Sequence, residues 1–390
     1  MNITVTGRSD PSKDTEVLGI LQAQADSARR LAVGQINNFQ RRLESLHTGN
    51  GGGGFSNGIS FSSASARQNR DPMTGLRGRD DDWGRRFLVQ PDEPTPGQGQ
   101  RAGSTGQGQP GQWSVWTGGA VNFGKTLPGS SDDGIDFTTS GISLGADRAI
   151  NDQLAVGAGI GYGHDSSDVG KHDSRSTVDA YSAAVYGSYR PVPLVYVDAL
   201  IGYQKMSFDS RRYVTDNGNT VTGSRDGKQL FASLSVGYEH RTQDGMLISP
   251  YGRFDFARAT LDGYTEHGDD VYDLHYERST VKTSTGVLGL RAQWVVKRDY
   301  GVWMPQLRAE FRHDFQGASV AAMRYADLLG GPLYQAVLGN TTRNHTLVGA
   351  GVMLQTLKGW SMRLEYQNLL DNSTRDNQSI QLGVEKKFDP

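Results

Sequence analysis

Residues 152–164 read DQLAVGAGIGYGH, and the parity of this stretch decides the fold. Leu154, Val156, Ala158, Ile160 and Tyr162 alternate with Ala155, Gly157, Gly159, Gly161 and Gly163. Successive side chains of an extended backbone point to opposite faces, so this is a strand with one greasy face and one nearly bare face. The pattern recurs. Leu230, Ala232, Leu234, Val236 and Tyr238 oppose Phe231, Ser233, Ser235, Gly237 and Glu239. Thr346, Val348, Ala350, Val352 and Leu354 oppose Leu347, Gly349, Gly351 and Met353. Near the end, Ile380, Leu382, Val384 and Phe388 oppose Ser379, Gln381, Gly383, Glu385 and Lys387.

Working outward, twelve such segments begin near Trp113, Asp136, Asp152, Arg175, Leu194, Lys228, Leu247, Thr280, Val302, Arg343, Trp360 and Asp376. Short joints at 149–152, 189–193, 297–300 and 357–359 alternate with mostly longer ones, such as 209–227 and 262–278. An even strand number, one apolar face, one polar face and unequal rims describe a transmembrane β-barrel. The fold expected is therefore all-β, a 12-stranded antiparallel membrane barrel over residues 113–390. A soluble β-sandwich binding module also alternates, but its water-facing side is rich in Lys, Glu and Thr. Here that side is Gly and Ser with isolated charges, which suits a filled lumen. Inward charges include Asp147, Asp198, Glu239, Asp255, Glu310, Glu365 and Glu385 against Arg241, Arg253, Arg291, Arg308 and Arg363. Trp116, Tyr162, Tyr189, Tyr203, Tyr238, Trp294, Trp303, Trp360 and Phe388 lie toward strand ends, as an interfacial girdle would.

Bulk properties agree. The 390 residues carry 51 glycines, no cysteine, and 40 basic against 42 acidic side chains. Mean hydropathy is −0.54, and no run of the roughly 18 apolar residues needed for a helical span exists. The balanced charge offers no basic surface for nucleic acid. Absence of cysteine excludes disulfides and thiolate chemistry.

Residues 14–48 have a different period. Leu21, Ala25, Ala28, Ala32, Phe39, Leu43 and Leu46 recur on one helical face, with Asp14 as N-cap and Gly49 as stop. Such a helix is about 50 Å long. It is too polar to face lipid and long enough to run through a barrel lumen; a coiled-coil or surface helix has the same pattern. Residues 49–112, rich in Gly, Ser, Gln and Pro, read as a disordered linker. A coil of that length spans roughly 40 to 45 Å, so it leaves the helix free to sit in the lumen or outside it.

These residues carry a resemblance. SGISLGADRAINDQLAVGAGIGYGHDSSDVG, then DAYSAAVYGSY, LISPYGRFDF and a terminal GVEKKF, together with the preceding helix, resemble the translocator domain of classical autotransporters, the type V secretion family. The resemblance implies a Gram-negative outer membrane, a twelve-stranded barrel and a helix across its lumen. It also implies an upstream passenger, exported and anchored at the cell surface. Residues 1–13 would then be a passenger remnant. They show no secretory leader, so the chain is expected to be the C-terminal piece of a longer precursor. Gln381, Gly383 and Phe388 match the signal read by the barrel-assembly machinery, although Lys386 stands where an apolar residue is usual. Outer-membrane lipids are the other partner, and a monomeric barrel is expected. Contacts between helix and lumen are expected from Arg29, Arg30, Arg41, Arg42, Arg253, Asp255, Arg291, Glu310, Arg363 and Glu365. The alternative is a stand-alone outer-membrane channel or adhesin with its helix outside the lumen.

No enzyme is expected. HExxH is absent. The strings that match a P-loop (GAVNFGKT, 119–126) and GxSxG (GFSNG, 54–58, and GISLG, 141–145) fall in alternating strand segments or the Gly-rich linker, without the strand–turn–helix setting those motifs require. No histidine pair has zinc-ligand spacing, and no cofactor or metal is implied. Asp269 and Asp270 form an acidic loop that a divalent cation would at most hold weakly. One candidate reaction remains. QINNFQRRLESL resembles the linker of serine-protease autotransporters, which implies self-cleavage between Asn37 and Asn38 through succinimide formation. The plainer reading makes both asparagines polar helix positions bonded to the lumen wall.

Overall fold

The computed structural model describes residues 8–47, 113–126, 134–339, 343–357, 360–370 and 376–387. The expected linker 49–112, the first seven residues of the expected passenger remnant, and Phe388 lie outside the described residues.

Strands β1 (Trp113–Thr126), β2 (Ile135–Ala149), β3 (Leu154–Val169), β4 (Ser174–Val192), β5 (Val195–Tyr213) and β6 (Thr220–Tyr238) follow one another around the wall. They continue as β7 (Leu247–Leu261), β8 (Ser279–Gln293), β9 (Gly301–Asp314), β10 (Asn344–Thr356), β11 (Trp360–Leu370) and β12 (Asp376–Lys387). Every sequential pair is antiparallel, and β12 closes on β1 with Val115 opposite Lys386. The sheet has no open edge and no second layer, so it is a closed barrel rather than a sandwich.

Outward positions are apolar and exposed along each strand: Val156 and Ile160 on β3, Leu234 and Val236 on β6, Leu382 and Val384 on β12. On β6 this band runs from Tyr238 to Leu230, about 27 Å along the strand at 3.4 Å per residue. Tilted by roughly 35–45°, that length rises about 19–22 Å, a little less than the apolar height of ~25 Å typical of an outer-membrane barrel. Tyr162 and Tyr203 mark one border of the band, and Tyr189, Tyr238 and Trp360 the other, all exposed. Trp116 does not join them. It is buried in the lumen, donating to Tyr186 Oη at 2.6 Å, because the wall is filled from inside at that point.

Strand starts lie within two residues of those expected, except for β6, which begins at Thr220 instead of near Lys228. The supposed loop 209–227 is largely strand. Only residues 214–219 turn, and Thr220 pairs with Tyr213. Above the bilayer the outward face turns polar and the inward face is mixed: Thr222, Ser224 and Asp226 point outward, while Val221 and Arg225 are buried inward. Hydropathy therefore cannot tell that strand from a loop.

Two expected long loops are likewise folded. Tyr264–Thr265, Leu274–Tyr276, Ser319–Tyr325 and Tyr334–Leu338 form a separate four-stranded sheet over the outer mouth. Arg212 at the tip of β5 fastens it, donating to both carboxylate oxygens of Glu266 at 2.9 and 2.7 Å. Asp269 is held well below the usual carboxylate range by the amides of Asn219 and Asn217 and by backbone N–H groups of Val271 and Tyr272. Its oxygens are committed to the loop itself, and no cluster of metal-ligating side chains occurs among the described residues.

The outward assignment is testable at mid-bilayer. Leu234→Arg should lower the unfolding free energy by about 2–4 kcal/mol in urea titrations from phospholipid vesicles. Ser233→Ala, one residue away and inward, should cost about 1 kcal/mol.

Candidate functional site

The lumen is occupied by α1 (Thr15–Ser45). Asp14 caps it, accepting from the backbone N–H of Glu16 at 2.8 Å and Val17 at 3.2 Å. Of its 31 residues, 22 are buried and Thr15 alone is exposed, so the helix is enclosed on all sides. That excludes a surface or coiled-coil placement. Room for it comes from the bare face of β3. A Cβ at Gly163, Gly161 or Gly159 would lie 2.7 Å from Leu31, 2.4 Å from Gln35 or 2.8 Å from Phe39 respectively. Those helix residues are spaced by four, so one ridge of α1 lies along one row of glycines.

Polar contacts ring the helix at successive depths. Near the outer end Glu16 meets His172 at 2.9 Å. Below it Arg30 reaches Asp165 through Nε and Nη2, both at 2.9 Å, and Ser27 donates to the same carboxylate at 2.5 Å. Midway, Gln35 and Asn38 share Ser143, each at 3.0 Å. Phe39 packs edge-on against Trp116 with ring centroids 5.4 Å apart.

The inner third is a dense ionic lattice. Arg42 makes a two-pronged contact with Asp147 at 2.6 and 2.7 Å and also pairs with Glu385 at 2.8 Å. Arg41 binds Glu365 at 2.9 Å and donates to the side-chain Oε1 of Gln381 at 2.8 Å. Glu44 takes Arg308 at 2.7 Å, Arg41 at 3.1 Å and Arg291 at 3.3 Å, with Arg363 at 3.9 Å. At the inner mouth His47 meets Asp198 at 2.8 Å and packs at a tilt against Tyr196 with ring centroids 3.8 Å apart, and Arg190 donates to the backbone carbonyl of His47.

Of the expected contact residues, Arg30, Arg41 and Arg42 on the helix and Arg291, Arg363 and Glu365 on the wall meet across the interface. Arg29 does not reach a barrel strand; it pairs with Asp26 on its own helix at 2.8 Å and donates to Ser319 of the outer sheet at 3.3 Å. Arg253, Asp255 and Glu310 bind one another within the wall. Asp255 touches the helix only through Ser233, which accepts from Gln40. Asp165, Glu44 and His47 were missed. Asp165 shares the parity of the inward β3 glycines, a signal that could have found it.

Residues 115–367 match the family model described as Autotransporter beta-domain. That is more than half of the chain, and the chain belongs to this family. Its fold resembles the translocator domain of autotransporter NalP from Neisseria meningitidis, with a TM-score of 0.59 and 16% identity over 71% of this chain and 89% of that one. It also resembles the beta domain of the Bordetella autotransporter BrkA, with a TM-score of 0.53 and 16% identity over 71% and 99% of the two chains. Outer membrane protein B of Rickettsia rickettsii is 27% identical over 149 residues, 35% of this chain and 9% of that protein. Esterase EstA of Pseudomonas aeruginosa is 24% identical over 212 residues, 52% of this chain and 31% of that protein. The matched part thus spans less than a third of either relative. The chain is an outer-membrane translocator barrel of a Gram-negative bacterium.

Removing one partner from this lattice leaves a buried charge unpaired. Arg42→Ala should destabilise helix seating by ~3–5 kcal/mol. It should appear in planar bilayers as frequent openings of a nearly closed pore. Arg29→Ala, which breaks a pair within the helix, should cost less than about 1 kcal/mol and leave conductance low.

Proposed function

We propose that this barrel carries a polypeptide N-terminal to residue 8 across the outer membrane, anchors it at the cell surface, and is then closed by α1. The direction of the helix carries this reading. Its Asp14 cap stands beneath the outer sheet, and His47 stands at the rim from which β1 sets out. A chain threaded so delivers its upstream part outside while its downstream part stays in the wall. At the exit Pro11–Lys13 form a short helical turn, Tyr325 donates to the Ser9 carbonyl at 2.8 Å, and Arg8 pairs with Asp327. These contacts support a fixed exit path. A stand-alone channel would need an open lumen, which an enclosed helix denies.

Insertion by the barrel-assembly machinery, as a monomer, is part of the same proposal. Gln381 and Gly383 lie on the closing strand between outward Ile380, Leu382 and Val384. Lys386 is accommodated by resting its ammonium 5.4 Å from the Trp360 ring centre at the inner interface. The bond between Asn37 and Asn38 stays intact in this reading. The helix runs unbroken through both, and the Asn38 amide is engaged by Ser143, a hydroxyl and not a carboxylate.

An epitope fused ahead of residue 8 should be removed by protease added to whole cells, with the barrel left heat-modifiable on gels. An epitope that stays protected above a folded barrel would refute export. Folded protein should also persist at full length; a fragment ending at Asn37 would refute the intact linkage.

A further inference from the structure

The outward face of the barrel changes chemistry at one height on β5 to β8. Tyr203, Leu230 and Phe254 are exposed at the outer edge of the apolar band. Above them stand Lys205, Lys228, Arg258 and Lys282, one on each strand and all exposed. Their register is unusual. Lys205 is directly opposite Lys228, and Arg258 is directly opposite Lys282. Arg258 also faces Leu230, the next outward residue below Lys228, so the two like-charge pairs join into one strip.

Directly opposed side chains have Cβ atoms roughly 4.5–5.5 Å apart, and like charges in that position repel. None of the four forms an ion pair with a described residue. Asp226, the next outward position above Lys228, already accepts a 3.0 Å hydrogen bond from Ser207. Pairing on both flanks of each strand fixes the register, so the strip cannot relieve itself by slipping. An anion lying between the pairs would turn the repulsion into binding.

We propose that this strip binds the phosphate groups of an outer-leaflet glycolipid whose acyl chains lie along Tyr203, Leu230 and Phe254. Continuity selects a lipid over a free anion: the cations begin where the apolar band ends, so one ligand meets both surfaces. Two phosphates on one headgroup match two cation pairs side by side. Juxtamembrane Lys and Arg residues at a charged leaflet act in this additive way.

The test uses the full chain in phosphatidylcholine nanodiscs, titrated with bisphosphorylated lipid A and read by native mass spectrometry and thermal midpoint. The variant combines Lys205→Gln, Lys228→Gln, Arg258→Gln and Lys282→Gln. The control carries Lys297→Gln and Arg298→Gln at the opposite rim, both exposed. The parent and the control should bind lipid A at least about tenfold more tightly than the variant. Dephosphorylated lipid should bind as weakly as lipid A binds the variant, and millimolar inorganic phosphate should not displace lipid A. Without lipid A the variant should unfold at the same or a higher temperature than the parent, because repulsion is gone; with it, only the parent and control should gain. Equal affinity of parent and variant, indifference to lipid phosphorylation, or displacement by inorganic phosphate would each overturn the proposal. Should the fourfold variant fail to fold, Lys228→Gln alone must weaken binding several-fold, and unchanged affinity overturns the idea. The readout is independent of export, so a barrel that exported nothing would still bind the lipid.

Discussion

Charge neutralisation inside an enclosed lumen is the constraint on which the rest of this structure depends. Neither the helix nor the wall is balanced alone at the inner end. Arg42 needs Asp147 and Glu385, while Glu44 needs Arg308 and Arg291. A buried charge stripped of its partner costs several kcal/mol, so an empty barrel would have to admit water to its lumen and a free helix would have to solvate its polar faces. Seating the helix satisfies both at once. The lattice is built from both signs on each side, with Arg41 and Arg42 beside Glu44 on the helix and acids beside arginines on the wall. A shift of the helix by one turn would bring neutral residues such as Asn38 and Gln40 to the places of Arg42 and Glu44 and leave Asp147 and Arg308 without those partners, so the pairing fixes depth as well as affinity.

The same constraint explains why the inner wall is bare on β3 and crowded elsewhere. Helix and wall can exchange short hydrogen bonds only if the backbones approach closely. The row of small residues at Gly159, Gly161 and Gly163 lets Phe39, Gln35 and Leu31 settle against the strand. On the opposite side the gap is wider, and Tyr251, Arg308 and Glu310 fill it with hydrogen bonds among themselves. The helix is therefore off-centre by design of side-chain size, pressed against β2 to β4.

Much of this was legible in the chain. Alternation located twelve strands because an apolar face against lipid leaves an unambiguous parity, and DQLAVGAGIGYGH identified the bare face before any partner was known. The helix was legible from Leu21 to Leu46, but its surroundings were not, since a mixed polar surface suits water and a charged lumen equally. What failed did so for a common physical reason. Above the bilayer, strand exteriors such as Thr222, Ser224 and Asp226 meet water, and parity loses its contrast. The outer sheet is built from strands as short as Tyr264–Thr265 and owes its existence to tertiary packing. Trp116 was assigned to the interface because strand ends favour aromatics there, yet its parity neighbours Ser114 and Gly118 already belonged to the inward row.

Helix length and membrane height together explain the outer sheet. The 31 residues of α1 extend about 47 Å at 1.5 Å per residue, nearly twice the apolar band of ~25 Å. Leu31 meets Gly163, the neighbour of the border residue Tyr162, and His47 meets Asp198 near the other border. From Leu31 to His47 the helix rises about 24 Å, so that portion alone matches the bilayer. The residues before it stand above the membrane and would present Val17, Leu21, Ala25 and Ala28 to water. Strands β3 to β6 extend upward as a half-wall, and the four-stranded sheet covers the rest, bringing Tyr276, Met323 and Leu338 into one apolar cluster with those helix residues. The vestibule thereby converts the outer half of the helix from an exposed greasy rod into a packed one. That packing adds an apolar grip above the bilayer to the ionic grip within it, and the chain leaving at Asp10 is held at both levels.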